Sequence, residues 1–355
     1  VFELLGASVA VAVVKIKQAG GSALIELANY INSEKALAII TGILVSVVIA
    51  FTVGTFVQYV ARLIFTFNYR GPMRYFGAIF GGLAISTITY FILVKGISDS
   101  AFAEIKLSTG DTLSNWVNNN IPKVMLYSFL GWTVIIQLLK WVFNLKILKL
   151  VVLVGTFALA MAFAGNDLVN FIGVPLAGFN SYNAWSAAGK PGPDGFSMEA
   201  LAGEVDTPEY MLLIAGLIMI ITLITSKKAR MVIATSVDLS RQSEGTEKFD
   251  SSPIARMIVK STTQFNKKIT RFIPQVITQK LDSRFVPFDL TTPEDPEPPA
   301  FDKIRASVNL VVASALIALG TSLKLPLSTT YVTFMVAMGT SLADRAWDRD
   351  SAVFR

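Results

Sequence analysis

Ala164-Gly165-Asn166-Asp167-Leu168-Val169-Asn170 sits inside an apolar run that starts near Leu148 and extends to about residue 179. It places a carboxylate, Asp167, and two carboxamides, Asn166 and Asn170, in a segment otherwise suited to hydrocarbon. Ionisable groups at membrane depth are costly, so they mark a functional site by default. Gly173 and Pro175 follow closely, and a proline removes a helical hydrogen bond and crowds the preceding turn, so the spacing predicts a helix broken here. A second polar island, Pro326-Leu327-Ser328-Thr329-Thr330, interrupts a later apolar run and is read with the first.

Outward from these islands, the whole chain is too apolar for water. Of 355 residues 53% are hydrophobic and 16% charged, where soluble domains carry roughly 25% charged residues. Runs near the ~20 apolar residues needed to cross hydrocarbon recur along it. The fold class expected is an all-α integral membrane protein, a polytopic helical bundle. The net charge of +6 collects in particular loops, so it speaks for orientation and not for nucleic acid. No cysteine is present, hence no disulfide framework. Histidine is absent too, and no second carboxylate is spaced near Asp167 for acid–base work, so an enzyme is not expected, nor a cofactor.

Spanning segments are expected at 36–60, 75–94, 124–143, 148–165 (continuing, broken, to about 179) and 210–226. Arg62, Arg70 and Arg74, then Lys140, Lys146 and Lys149, then Lys227, Lys228 and Arg230 flank them alternately, while the intervening loops are acidic or mixed. By the positive-inside rule residues 61–74, 140–149 and 227 onward are cytoplasmic, in a plasma (inner) membrane. Three regions follow: a transmembrane region, 1–226; a basic cytoplasmic loop, 227–300; and a transmembrane hairpin, 301–355. Within the loop Ile254, Ile258, Phe265, Ile269 and Phe272 recur at helical spacing, which predicts an amphipathic helix on anionic membrane lipid. The unit 306–343 has basic flanks at both ends, so those ends share one side and PLSTT is the tip of a helical hairpin, re-entrant if it is to reach a site.

Gly6-Ala7-Ser8-Val9-Ala10 resembles Gly339-Thr340-Ser341-Leu342-Ala343, and five crossings separate the two copies. An odd number of crossings gives them opposite orientation, the pattern of inverted-repeat secondary transporters. The chain begins and ends in or beside apolar segments, so a fragment lacking most of repeat one and the C-terminal end is expected.

On a helix Asn166 and Asn170 are one turn apart, with Asp167 about a quarter-turn away. Unwinding at Gly165 and Gly173 would free carbonyls, and carboxylate, amide and carbonyl oxygens together suit an alkali cation better than zinc or copper. The plain alternative is that Asn166 and Asp167 cap or cross-link helices. In PLSTT the proline suits a helix start and the hydroxyls its cap. Free N–H groups there, with Ser328, Thr329 and Thr330, make a candidate oxyanion site, with Lys324 the nearby cation. An ordinary cap is the alternative. Glu3, Lys324 and Gln137 are left as further candidates for site or packing roles.

AGNDLVN resembles the Gly-Ala-Asn-Asp-Val-Ala-Asn signature of the inorganic phosphate transporter (PiT) family, and PLSTT resembles that family's Pro-x-Ser-Thr-Thr signature. The order of the motifs and the long basic loop between them also match. The resemblance implies a secondary transporter of inorganic phosphate coupled to sodium, working by alternating access. Asn166, Asp167 and Asn170 would then help hold sodium, and Ser328, Thr329 and Thr330, with Asn166, would bind phosphate. Ala164-Gly165 and Leu168-Val169 depart from the signature and leave the anion open, with sulfate or proton coupling as variants. A channel or membrane scaffold is the reading from another class, and a homo-oligomer is compatible with either.

Overall fold

A chain this apolar must satisfy its backbone polar groups within each segment, and helices do so. The computed structural model describes residues 2–18, 33–91, 111–192, 207–228, 275–286, 301–323 and 325–346, with a few isolated positions between. In chain order the helices are α1 (Phe2–Gln18), α2 (Ser33–Phe65), α3 (Arg70–Tyr90), α4 (Leu113–Asn119), α5 (Ile121–Phe143), α6 (Ile147–Ala187), α7 (Glu209–Thr225), α8 (Gln275–Asp282), α9 (Lys303–Ser322) and α10 (Thr329–Ala343). No strand occurs among the described residues. Ala36–Phe65 of α2, together with α5, α6 and α9, are long and apolar enough to cross a membrane, and α7 is apolar but shorter.

Their surfaces agree with that composition. Leu213 on α7 is 74% exposed, Trp141 on α5 72% and Leu44 on α2 62%. Apolar surface on this scale is not left to water. The enclosed helix is α9: 61% of its most apolar window is buried, against 6% for α2 and α5. Around it Ala50 and Phe65 of α2, Leu148 of α6, Ile304 and Ile317 of α9 and Val336 of α10 form the main core.

Small residues set how closely the helices approach, as packing in lipid requires. Gly54 of α2 lies against α10, where an added Cβ would come 2.8 Å from the Val336 carbonyl. Gly339 of α10 lies against the Phe51 carbonyl and Thr55 in return. Gly81 of α3 faces Ile136 of α5 and Ile147 of α6, and Gly155 of α6 faces Leu310 of α9. Substituting a larger residue would wedge each pair apart.

Turn geometry collects the basic residues at one end of the bundle. A short turn joins α2 to α3, with Thr66 (φ 53°) in the left-handed region. Asn144 (φ 51°), a residue that tolerates this conformation, joins α5 to α6. The Lys140 ammonium donates to the Arg74 carbonyl at 2.8 Å, bringing the end of α5 to the start of α3. Asp302, the N-cap of α9, and Asp344, the C-cap of α10, both reach the Arg62 guanidinium. The expected hairpin is therefore an antiparallel pair whose two ends meet, at the end that also carries Arg70, Arg74, Lys140, Lys146 and Lys149.

Several expectations are corrected. Span limits shift: 36–60 becomes Ser33–Phe65, 75–94 starts earlier, at Arg70, with 92–94 outside the described residues, and 124–143 starts at Ile121. The expected break at 165–175 does not occur, because α6 runs unbroken for 41 residues through Gly165, Gly173 and Pro175. At 1.5 Å per residue that is ~60 Å, twice the hydrocarbon thickness. Glycine permits unwinding without compelling it, and one proline removes a single donor, which costs less than exposing several carbonyls to hydrocarbon. The polar segment Gly178–Asn183 also belongs to α6. The amphipathic stripe at 254–272 lies outside the described residues. The two expected repeat copies differ in surroundings: Gly6 has open space around it, while Gly339 is packed against α2.

Candidate functional site

Each polar island reaches the site on its own helix. Asp167 stands midway along α6, and the stretch Leu325–Ser328 delivers the start of α10 beside it. Leu325 N–H bonds the Gly320 carbonyl at 2.9 Å, and Leu327 packs back on Gly320. Ser328 caps α10, its hydroxyl accepting from Tyr331 N–H at 3.4 Å. Thr329, the first residue of α10, is buried.

The Thr329 hydroxyl donates to both oxygens of Asp167, at 3.0 and 3.2 Å. The Asn166 amide donates to Asp167 Oδ1 at 3.4 Å. The two islands, 162 positions apart, therefore meet through side chains. Asp167, Asn166 and Ser328 are half-buried, and Thr330 is exposed. Asn170 has helical backbone, but its side chain, that of Glu3 and all of Lys324 lie outside the described residues. Because α6 is continuous, its carbonyls stay within the helix, and the oxygen set at the site is one of side chains. Among the described residues no three His, Cys, Asp or Glu side chains gather as metal ligands.

Electrostatics give this contact a direction. The first turn of a helix carries unpaired N–H groups and the positive end of its dipole, so it favours an anion. The Asp167 carboxylate, bound to the first residue of α10, supplies that negative charge.

A second polar cluster escaped the sequence reading. At the basic end Arg62 Nε donates to Asp344 Oδ1 at 2.8 Å and its Nη2 to Asp344 Oδ2 at 2.5 Å. The same guanidinium reaches Asp302 at 2.8 Å and lies 4.0 Å from the centre of the Phe67 ring. Arg305 Nε donates to Asp344 at 2.8 Å, and the Gln58 amide donates to both its oxygens at 2.9 and 3.0 Å. Burial by itself would raise the Asp344 carboxyl, but Arg62, then Arg305 and Gln58, hold it below the usual carboxylate range. The signal was available. Gln58 and Arg62 stand four apart, on one helix face inside an apolar run, the same kind of anomaly that singled out Asp167. By charge pattern alone Arg62 reads as a flanking charge.

The chain matches no protein-family model, no curated protein and no solved structure.

Proposed function

We propose that this chain serves a secondary transporter that moves inorganic phosphate together with sodium by alternating access. The observation that carries the reading is the Thr329–Asp167 hydrogen bond, which joins a carboxylate on one helix to the start of another. The resemblance to the phosphate transporter family rests on the same two motifs. In this reading Asp167, with Asn166 and Asn170, holds the coupling cation, and Ser328, Thr329 and Thr330 hold the oxyanion, with Asn166 able to contribute to either.

The contact also suggests how the two are coupled. While Asp167 is an uncompensated carboxylate it satisfies the Thr329 hydroxyl and repels an incoming anion. A cation on Asp167 neutralises that charge and releases the hydroxyl and the helix start for phosphate, so the cation loads first. Coulomb energies of a few kcal/mol between charges about 4 Å apart, at the effective dielectric of a partly buried site, are enough to impose that order.

Labelled-phosphate uptake into liposomes carrying the full-length protein tests this, with sodium outside or replaced by choline. Saturable accumulation that needs sodium is expected, and it should be abolished in Asp167→Asn at normal protein levels. Uptake that persists in Asp167→Asn removes that residue from the mechanism. Competition by sulfate, or coupling to pH instead of sodium, would redirect the reading to those variants. Flux that never exceeds the applied gradient would indicate a channel.

A further inference from the structure

Two sets of described residues between α7 and α9 touch the hairpin. Near its start, Ser240 is buried, its carbonyl accepting from the Asp302 N–H at 2.7 Å and its hydroxyl from the Asn309 amide at 3.3 Å. Near its end, α8 and the short 3-10 turn Ser283–Phe285 bring Phe285 into the bundle, where it is 5% exposed. Its ring stacks on Tyr59 of α2 at 5.5 Å, and the Arg345 guanidinium lies 4.9 Å from its centre. Arg345 also pairs with Asp282 at 2.6 Å. These contacts surround the Arg62 cluster, which ties both hairpin ends to α2.

Arg345 closes the end of α10 with φ 57°, a left-handed conformation that glycine adopts freely and arginine does not, while its N–H and that of Ala346 bond the Leu342 and Ser341 carbonyls.

We propose that the piece from Gln275 to Phe285 is a clasp: by gripping Arg345 and stacking on Tyr59 it holds the α9–α10 hairpin against α2 and sets how often the hairpin opens. The clasp stands on these contacts alone and does not depend on which solute, if any, the protein carries.

These 355 residues hold no cysteine, so Val336→Cys gives them a single thiol on a fully buried position of α10 against α2. Its rate of reaction with a maleimide, in the purified full chain in detergent, reports opening of that contact. In that background Arg345→Gly should raise the rate about three- to tenfold, the combined size of a partly exposed ion pair and a cation–ring contact, and Asp282→Asn, which removes the ion pair alone, about two- to fivefold. Arg345→Gly also relieves backbone strain, so a damaged fold does not explain faster labelling. The double variant should react no faster than Arg345→Gly, since both remove one linkage. Unchanged rates in both single variants, or effects that multiply in the double, overturn the clasp.

Discussion

At Asp344 two guanidiniums and an amide converge on one carboxylate that is fully buried. Removing one member of such a cluster leaves the others charged and desolvated, which costs about 3–5 kcal/mol. Asp344→Asn should therefore lower the thermal unfolding temperature in detergent well below that of Asp282→Asn, whose ion pair with Arg345 is half-exposed and worth at most about 1 kcal/mol. Equal shifts would mean the cluster is not a keystone. Arg62→Lys should behave like a loss, because a point charge cannot grip Asp344 and Asp302 with one planar fork. The acid limit follows from the same carboxylate. Its folded pKa is depressed, so its contribution is present above the unfolded value near 4 and is lost as pH falls through the folded value. A melting temperature flat from pH 7 to 5 and dropping below about 4, with a smaller drop in Asp344→Asn, is the expected profile.

At the scale of the element, the glycines divide into two kinds, and they predict opposite outcomes. Gly54 touches the backbone of α10, so Gly54→Val should destabilise by about 1–3 kcal/mol through overpacking. Gly165 is helical with nothing within 4 Å of an added Cβ, so Gly165→Ala should stabilise α6 by up to about 1 kcal/mol. Measuring uptake on the same Gly165→Ala protein asks whether the continuous α6 must unwind during a cycle. Higher stability with lost uptake would show that a bend forms transiently; unchanged uptake would show that it is not needed. The composition of α6 marked it as a place of weakness, but weakness is a permission. Continuity follows from the saturated hydrogen bonding of a helix in a poor solvent, an effect that no local propensity expresses.

For the whole molecule, the grouping of Arg70, Arg74, Lys140, Lys146 and Lys149 at one end is the structural counterpart of the charge pattern. Single cysteines at the exposed positions Arg70 and Asp111 should react with an impermeant maleimide from opposite faces of sealed vesicles, since α3 and α5 carry the chain away from the basic end. Labelling of both from one face would dismantle the spanning arrangement. Helix positions, the two polar islands and the hairpin with its ends together were legible in the chain itself, because apolar run length, proline and charge placement are local signals. Which side chains would meet was not. Arg62 finds Asp344 across 282 positions and Thr329 finds Asp167 across 162, and periodicity carries no information about which faces of two helices will be turned toward each other. That choice belongs to packing: glycines on α2, α3, α6 and α10 set the approach of the helices, and only that approach brings the carboxylates within reach of their donors.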